Sequence, residues 1–169
     1  MTKTEVFYEF NEELESLWRD FESDAHFLPF QSYEWQRYWN AEVGQPKYKM
    51  EIYIVVCLVD GRVRAIFPFG LKRAMGARIL EFLGADEADY SAPLLGISMD
   101  LEEFKLIWIE VLRVIPCHDV VYFRNIPKLI NQSDNFLLDN ISTQHTDFSY
   151  STILPNSFED YSLRLSKSM

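Results

Sequence analysis

Apolar residues recur at three- and four-residue intervals in some stretches of the chain and alternate or run together in others, and the two periods predict its elements. Leu14, Leu17, Trp18 and Phe21 form one apolar stripe behind Asn11, which can cap a helix while Glu12 and Glu13 meet the positive end of its dipole. The spacing predicts a helix over Asn11–Glu22. A second helix, Ser32–Glu42, follows Pro29, places Trp35, Tyr38 and Trp39 on one side and ends before Gly44 and Pro46. That aromatic face suits core packing or ligand stacking.

From Met50 the pattern turns to β-branched and aromatic residues. Met50–Asp60 and Val63–Leu71 flank Asp60-Gly61, a strong hairpin signal. Pro68 has no N–H to donate, so the second strand either bulges there or turns that side from a neighbour. Arg78–Leu83 predicts a third strand, closed by Gly84, and the three form an antiparallel meander. After an acidic loop, Ala85 to Pro93, Asp100 caps a helix over Asp100–Ile115, with Glu103 placed to reach back. Leu101, Ile107, Trp108, Val111 and Leu112 are expected to be buried together, with Phe104 and Ile115 on the same wide face. Asp119–Asn125 predicts a buried strand, reached by a βαβ-like crossover. Pro127 opens a short helical segment interrupted at Asn131 to Asn135. Phe148–Leu154 alternates like a strand, and a final helix starts at Ser157. These elements give an α/β fold whose mostly antiparallel central sheet is covered by helices.

Composition fits one globular domain: 169 residues, 48% hydrophobic and 25% charged. Sixteen basic against twenty-six acidic residues leave a net charge of -10 and a pI near 4.7, which argues against nucleic acid and anionic membrane surfaces as partners. The apolar run Ile52–Val59 is far below the roughly 20 residues of a spanning helix, so no membrane insertion is expected. The opening Met1-Thr2-Lys3-Thr4-Glu5 has no signal-peptide pattern, which makes the cytoplasm the expected compartment. Cys57 and Cys117 stand apart and are read as reduced thiols. His26, His118 and His145 are too scattered for a metal site, and neither a P-loop nor a Gly-x-Ser-x-Gly elbow is present.

Several local patterns fall in a familiar order: Pro29-Phe30-Gln31-Ser32-Tyr33-Glu34-Trp35, Ala65-Ile66-Phe67-Pro68-Phe69-Gly70-Leu71, Arg78-Ile79-Leu80-Glu81-Phe82-Leu83-Gly84, Asp89-Tyr90-Ser91-Ala92-Pro93-Leu94, and Ser151 to Pro155. Across nearly its whole length the chain resembles the first lobe of the two-lobed GNAT-superfamily acyltransferases associated with cellulose or exopolysaccharide biosynthesis, relatives of the Fem-type aminoacyltransferases. The resemblance implies a GNAT-like lobe over residues 1–169, a second lobe beyond Met169, and acetyl-CoA or another acyl-CoA held mainly by that second lobe. The terminal helix, with no glycine or proline stop, fits a chain that continues. A cofactor-binding GNAT lobe carries a glycine-rich turn. The matching stretch here, Leu83 to Asp89, has one glycine and three carboxylates, so no cofactor is expected in this lobe.

The function implied is N- or O-acetylation of a saccharide or amine, with this lobe on the acceptor side. The alternative is a non-catalytic binding or assembly module. Acyl transfer needs a base for the nucleophile and a donor for the leaving thiolate, roles that carboxylates and tyrosines fill. Asp86, Glu87, Asp89 and Tyr90 lie on one loop, from which Asp86, Asp89 and Tyr90 can meet a small polar acceptor or remain a solvated face. Arg124 and Tyr150 are further candidates, although an ion pair suits Arg124 better than substrate contact. Lys72, Arg73 and Arg78 can meet a phosphate or an acidic surface. The apolar groups of Phe148–Leu154 and the terminal helix are expected to be covered by the second lobe or, in its absence, by a second copy of the chain or by the terminal helix folding back on its own sheet.

Overall fold

The computed structural model describes residues 2–144 and 155–165. In chain order the elements are β1 (Thr2–Phe7), α1 (Glu12–Glu22), β2 (Ala25–His26), α2 (Tyr33–Trp39), α3 (Gln45–Tyr48), β3 (Glu51–Val59), β4 (Arg62–Ala74), β5 (Ala77–Phe82), β6 (Leu94–Gly96), α4 (Leu101–Val114), β7 (Val120–Val121), β8 (Leu129–Ile130), β9 (Ser133–Asp134) and α5 (Phe158–Leu165). The main sheet runs β1-β3-β4-β5-β7. Its pairs are antiparallel except β5 with β7, where Ile79 and Leu80 lie opposite Val120 and Val121 in parallel after the α4 crossover.

One edge of β4 is divided between two partners. Phe69–Ala74 pair with β5, whereas Ala65 and Ile66 pair with β6, and the chain between these partners leaves the sheet. Pro68 falls at the division. Its carbonyl accepts from Leu83 N at 2.8 Å. In an antiparallel strand a residue's N–H side coincides with its C=O side, so the missing proline N–H faces the break between partners and no ladder bond is lost. The register with β3 shifts at Cys57/Leu58, not at Pro68.

Side chains alternate across β3 into two apolar layers. Ile52, Ile54 and Val56 meet Leu14, Trp18 and Phe21 of α1 and Tyr33 and Trp39 of α2. Val55 and Cys57 join Phe67, Phe69, Leu80 and Phe82 beneath Phe104, Ile107, Trp108 and Val111 of α4. Burial on both faces explains why these strands read as continuous apolar runs. Among the described residues no helix is long and apolar enough to cross a membrane.

Several expectations need correction. β1 is an edge strand whose Lys3 and Glu5 conceal its period. The second helix does not stop before Gly44. It passes through a wide π-helical turn, Asn40–Gly44, into α3 and ends at Lys49, whose φ is 52°. Gly44 is needed because a Cβ would press on the Trp39 ring at 2.7 Å, and Pro46 occupies the first turn, where a missing N–H is harmless. On α4, Asp100 Oδ1 accepts from Glu103 N at 2.8 Å, but the Glu103 carboxylate grips Arg64 and does not reach back.

Leu101 is only half-buried and Leu112 is 49% exposed, since Leu112 turns outward with Leu106 and Ile109. Of Asp119–Asn125 only Val120–Val121 pair, and both side chains are exposed at the sheet edge. Of the helical segment expected after Pro127, the first part is a hairpin, β8–β9, turned by Asn131 and Gln132, and only Phe136–Asn140, beyond the polar interruption, is helical, as a 3-10 turn. The predicted strand Phe148–Leu154 lies outside the described residues.

Ile107 and Leu112 separate the two faces of α4. In urea unfolding, Ile107→Ala should cost about 2–5 kcal/mol, the range of a truncated core residue, and Leu112→Ala less than about 0.5 kcal/mol. Similar losses for the two would contradict this placement of the helix.

Candidate functional site

The chain leaves the sheet at the carboxyl end of β5. Because β7 runs parallel to β5, its carboxyl end lies on the same side, where crevices form in sheets with parallel strands. Gly84, at φ 79°, makes the turn, and a Cβ there would collide with the Trp35 ring. The loop then folds on itself: Ala85 N donates to Phe82 O, and Glu87 N and Ala88 N both donate to Gly84 O. Two links tie it to the segment after β7. Ser91 N donates to Asn125 O at 2.9 Å, and Asn125 Nδ2 donates to Ala88 O at 2.9 Å.

Two glutamines brace the loop from the α2 side. Gln31 Nε2 donates to Tyr90 O at 2.9 Å, and Gln36 Nε2 donates to Phe30 O at 2.7 Å and Leu83 O at 3.3 Å. Glu87 is fixed by donors from Trp39 Nε1 and Tyr48 OH, each at 2.9 Å, and by Lys47 at 3.4 Å.

At the centre is Glu81, 1% exposed. It pairs across the ladder with Gly70, which puts Lys72 at the diagonal position on the same face. Lys72 Nζ lies 2.9 Å from Glu81 Oε1 and 3.0 Å from Asp86 Oδ2, and Arg124 Nη2 donates to Asp86 Oδ1. Two cations and two carboxylates thus balance. The balance is uneven in hydrogen bonding: both Glu81 oxygens, Arg124 Nε and Ser91 Oγ are buried without a hydrogen-bond partner among the described residues, and Glu81 Oε1 has only its ion pair to Lys72.

The two carboxyls are driven apart in acidity. Burial pushes Glu81 up, and the Lys72 ammonium draws it only part of the way back. Burial also raises Asp86, but bonds from Lys72 and Arg124 outweigh it and hold this carboxyl below its ordinary range. A buried carboxyl of raised proton affinity beside a clamped carboxylate is an arrangement able to accept a proton.

Of the residues singled out in the sequence, the structure brings together Asp86 and Arg124. Asp89 is exposed and makes no hydrogen bond or ion pair among the described residues. Tyr90 is half-buried with its ring 6.4 Å from that of Phe30. Tyr150 lies outside the described residues. Lys72 belongs to the cluster and is not an open cation for a phosphate. Glu81 was missed, although one carboxylate among the apolar residues of Arg78–Leu83, two positions from Leu83 and diagonal to Lys72, is the signal that finds it.

Cys57 is buried with its thiol pushed up to about 12 by burial, while Cys117 is exposed; both are free. No group of three or more His, Cys, Asp or Glu able to hold a metal occurs among the described residues.

The raised Glu81 carboxyl keeps a proton in the folded chain that the unfolded chain releases above about 4.5. Its contribution therefore favours folding at low pH and is lost as pH rises through its folded value. In Glu81→Gln that loss is absent, so the stability of the variant relative to wild type should improve as the pH rises above about 4.5 in urea melts. A difference that is constant or worsens with pH would contradict the assignment.

Compared with known protein families, with curated proteins and with solved structures, the chain finds no match in any of the three.

Proposed function

We propose that this chain is the acceptor-side lobe of an acyltransferase with a GNAT-like fold, acting on a hydroxyl or amine of a saccharide or another small polar compound. The order of elements supports the reading: a first strand, two helical segments, a three-strand meander, a crossover helix and a strand parallel to the last strand of the meander. The observation that carries it is Glu81 Oε2, a buried acceptor without a donor at the carboxyl end of the parallel pair. β6, inserted before α4, departs from the simplest form of the fold.

Asp86 and Arg124, each partly exposed, form the face that an acceptor touches. Arg124 donates to its oxygens and Asp86 receives a hydroxyl. Asp86, held in its charged form by two cations, is a weak base. Glu81 is the stronger one, and it is linked to Asp86 through Lys72 Nζ, which contacts both carboxylates. Glu81 in this role needs both Lys72 and Asp86 in place.

The stretch Leu83 to Asp89 does not suit a pyrophosphate. The N–H groups of Ala85, Glu87 and Ala88 are spent on carbonyls within the loop, and three carboxylates surround them. No step is therefore assigned to acyl-CoA on this lobe, and a second lobe supplies it. The same exhausted loop favours a second reading, a module that only assembles with a partner, and the exposed Phe158 and Leu163 of α5 fit that reading too.

Backbone NMR with glucosamine as the probe tests the proposal. The sugar should bind in the millimolar range, shift the amides of Glu81, Asp86 and Arg124, and bind about tenfold more weakly to Asp86→Ala, while acetyl-CoA leaves Gly84 to Ala88 unmoved. Micromolar binding of acetyl-CoA at that loop would overturn the acceptor-side assignment, and no response to glucosamine would leave the assembly reading in its place.

A further inference from the structure

The β8–β9 hairpin turns on two non-glycine residues of positive φ, Asn131 at 47° and Gln132 at 68°. Such a turn is held only where its surroundings fix it. Asn135, 3% exposed, does this: its Nδ2 donates to Pro127 O at 3.0 Å, its Oδ1 accepts from Leu137 N at 3.2 Å, and its N–H donates to Lys128 O at 3.0 Å. The first residue after the turn is Ser133. Its Oγ lies 2.8 Å from Nε2 of His26, which is fixed on β2 opposite Leu95. Serine and histidine, 107 residues apart in sequence, meet at the polar end of a cleft of about 260 Å³ whose apolar side is made by Leu95, Met99, Ile130 and Phe136.

We infer that Ser133 and His26 form a nucleophile and base pair that accepts the acyl group of a small, neutral carboxylic ester. With the Ser133 hydroxyl donating to Nε2, the His26 ring carries its proton on Nδ1, which is the tautomer a base requires. Ser133 Oγ bonds to the ester carbonyl carbon as its proton passes to His26 Nε2. The ester C–O bond then breaks, and His26 returns the proton to the departing alcohol. Water cleaves the acyl-serine by the same exchange and restores the hydroxyl. The cleft is smaller than a drug-sized site, which limits the acyl group to a short chain. Asp134 on its rim and the acidity of the whole chain disfavour anionic esters. The pair stands on β2 and the β8–β9 hairpin and is independent of Glu81 and the function proposed for it.

A fluorophosphonate probe tests the pair, since Ser133 Oγ then bonds to phosphorus and fluoride leaves while His26 takes the proton. Mass spectrometry should find one adduct, on Ser133, formed at least about tenfold faster in the folded chain than in the urea-unfolded one. Labelling should be absent in Ser133→Ala, about tenfold slower in His26→Gln, and slowed in wild type by an excess of ethyl butyrate. The absence of a Ser133 adduct, or one formed as fast in the unfolded chain or in folded His26→Gln, would overturn the inference.

Discussion

The divided edge of β4 governs the rest of the molecule. A single thirteen-residue strand pairs along one side with β3 and along the other with β5 and then β6, so the chain must leave the sheet between the last two. That excursion begins at the carboxyl end of β5, beside the end of the parallel β7. It carries Asp86 and Glu87 over the site, and it is why Pro68 is tolerated in a central strand. Gln31, Gln36 and Asn125 supply donors to carbonyls that a regular ladder would otherwise have satisfied.

The same arrangement forces an electrostatic problem. Glu81 shares a face of the sheet with Gly70, beside which lie the side chains of Met50 and Leu83, and a lone carboxylate there would be heavily penalised. Lys72 and then Asp86 and Arg124 complete a neutral set around it. Removing one partner leaves an unpaired buried charge, whereas the complete set offsets part of the burial cost. Such a set is stable and still reactive, because two identical functional groups hold their protons with different strength.

Much of this order is visible in the sequence. Asn11 and Asp100 cap the helices expected of them, Asp60-Gly61 turns the hairpin with both residues at positive φ, and the crossover to a parallel strand follows from a helix set between two apolar strands. What was not visible depends on partners distant in sequence. The brevity of β7 and the existence of β6 are decided by which distant segments find a free edge on β5 and β4, and the outward position of Leu112 by which face of α4 meets the sheet. The hairpin at Asn131-Gln132 hides because neither residue is glycine. In the site, Asp86 was legible as a charged loop residue and Arg124 as a charge at the end of an expected strand, while Glu81 was concealed within an apolar strand and gains its meaning only from Lys72 on the neighbouring strand.

The break in the β4 edge creates a buried carboxyl of raised proton affinity. Carbon-13 NMR titration of the Glu81 side chain measures it directly. An apparent pKa above 4.5, rising further in Lys72→Met, is the result predicted. A value at or below 4.5 in the wild-type chain would contradict the account.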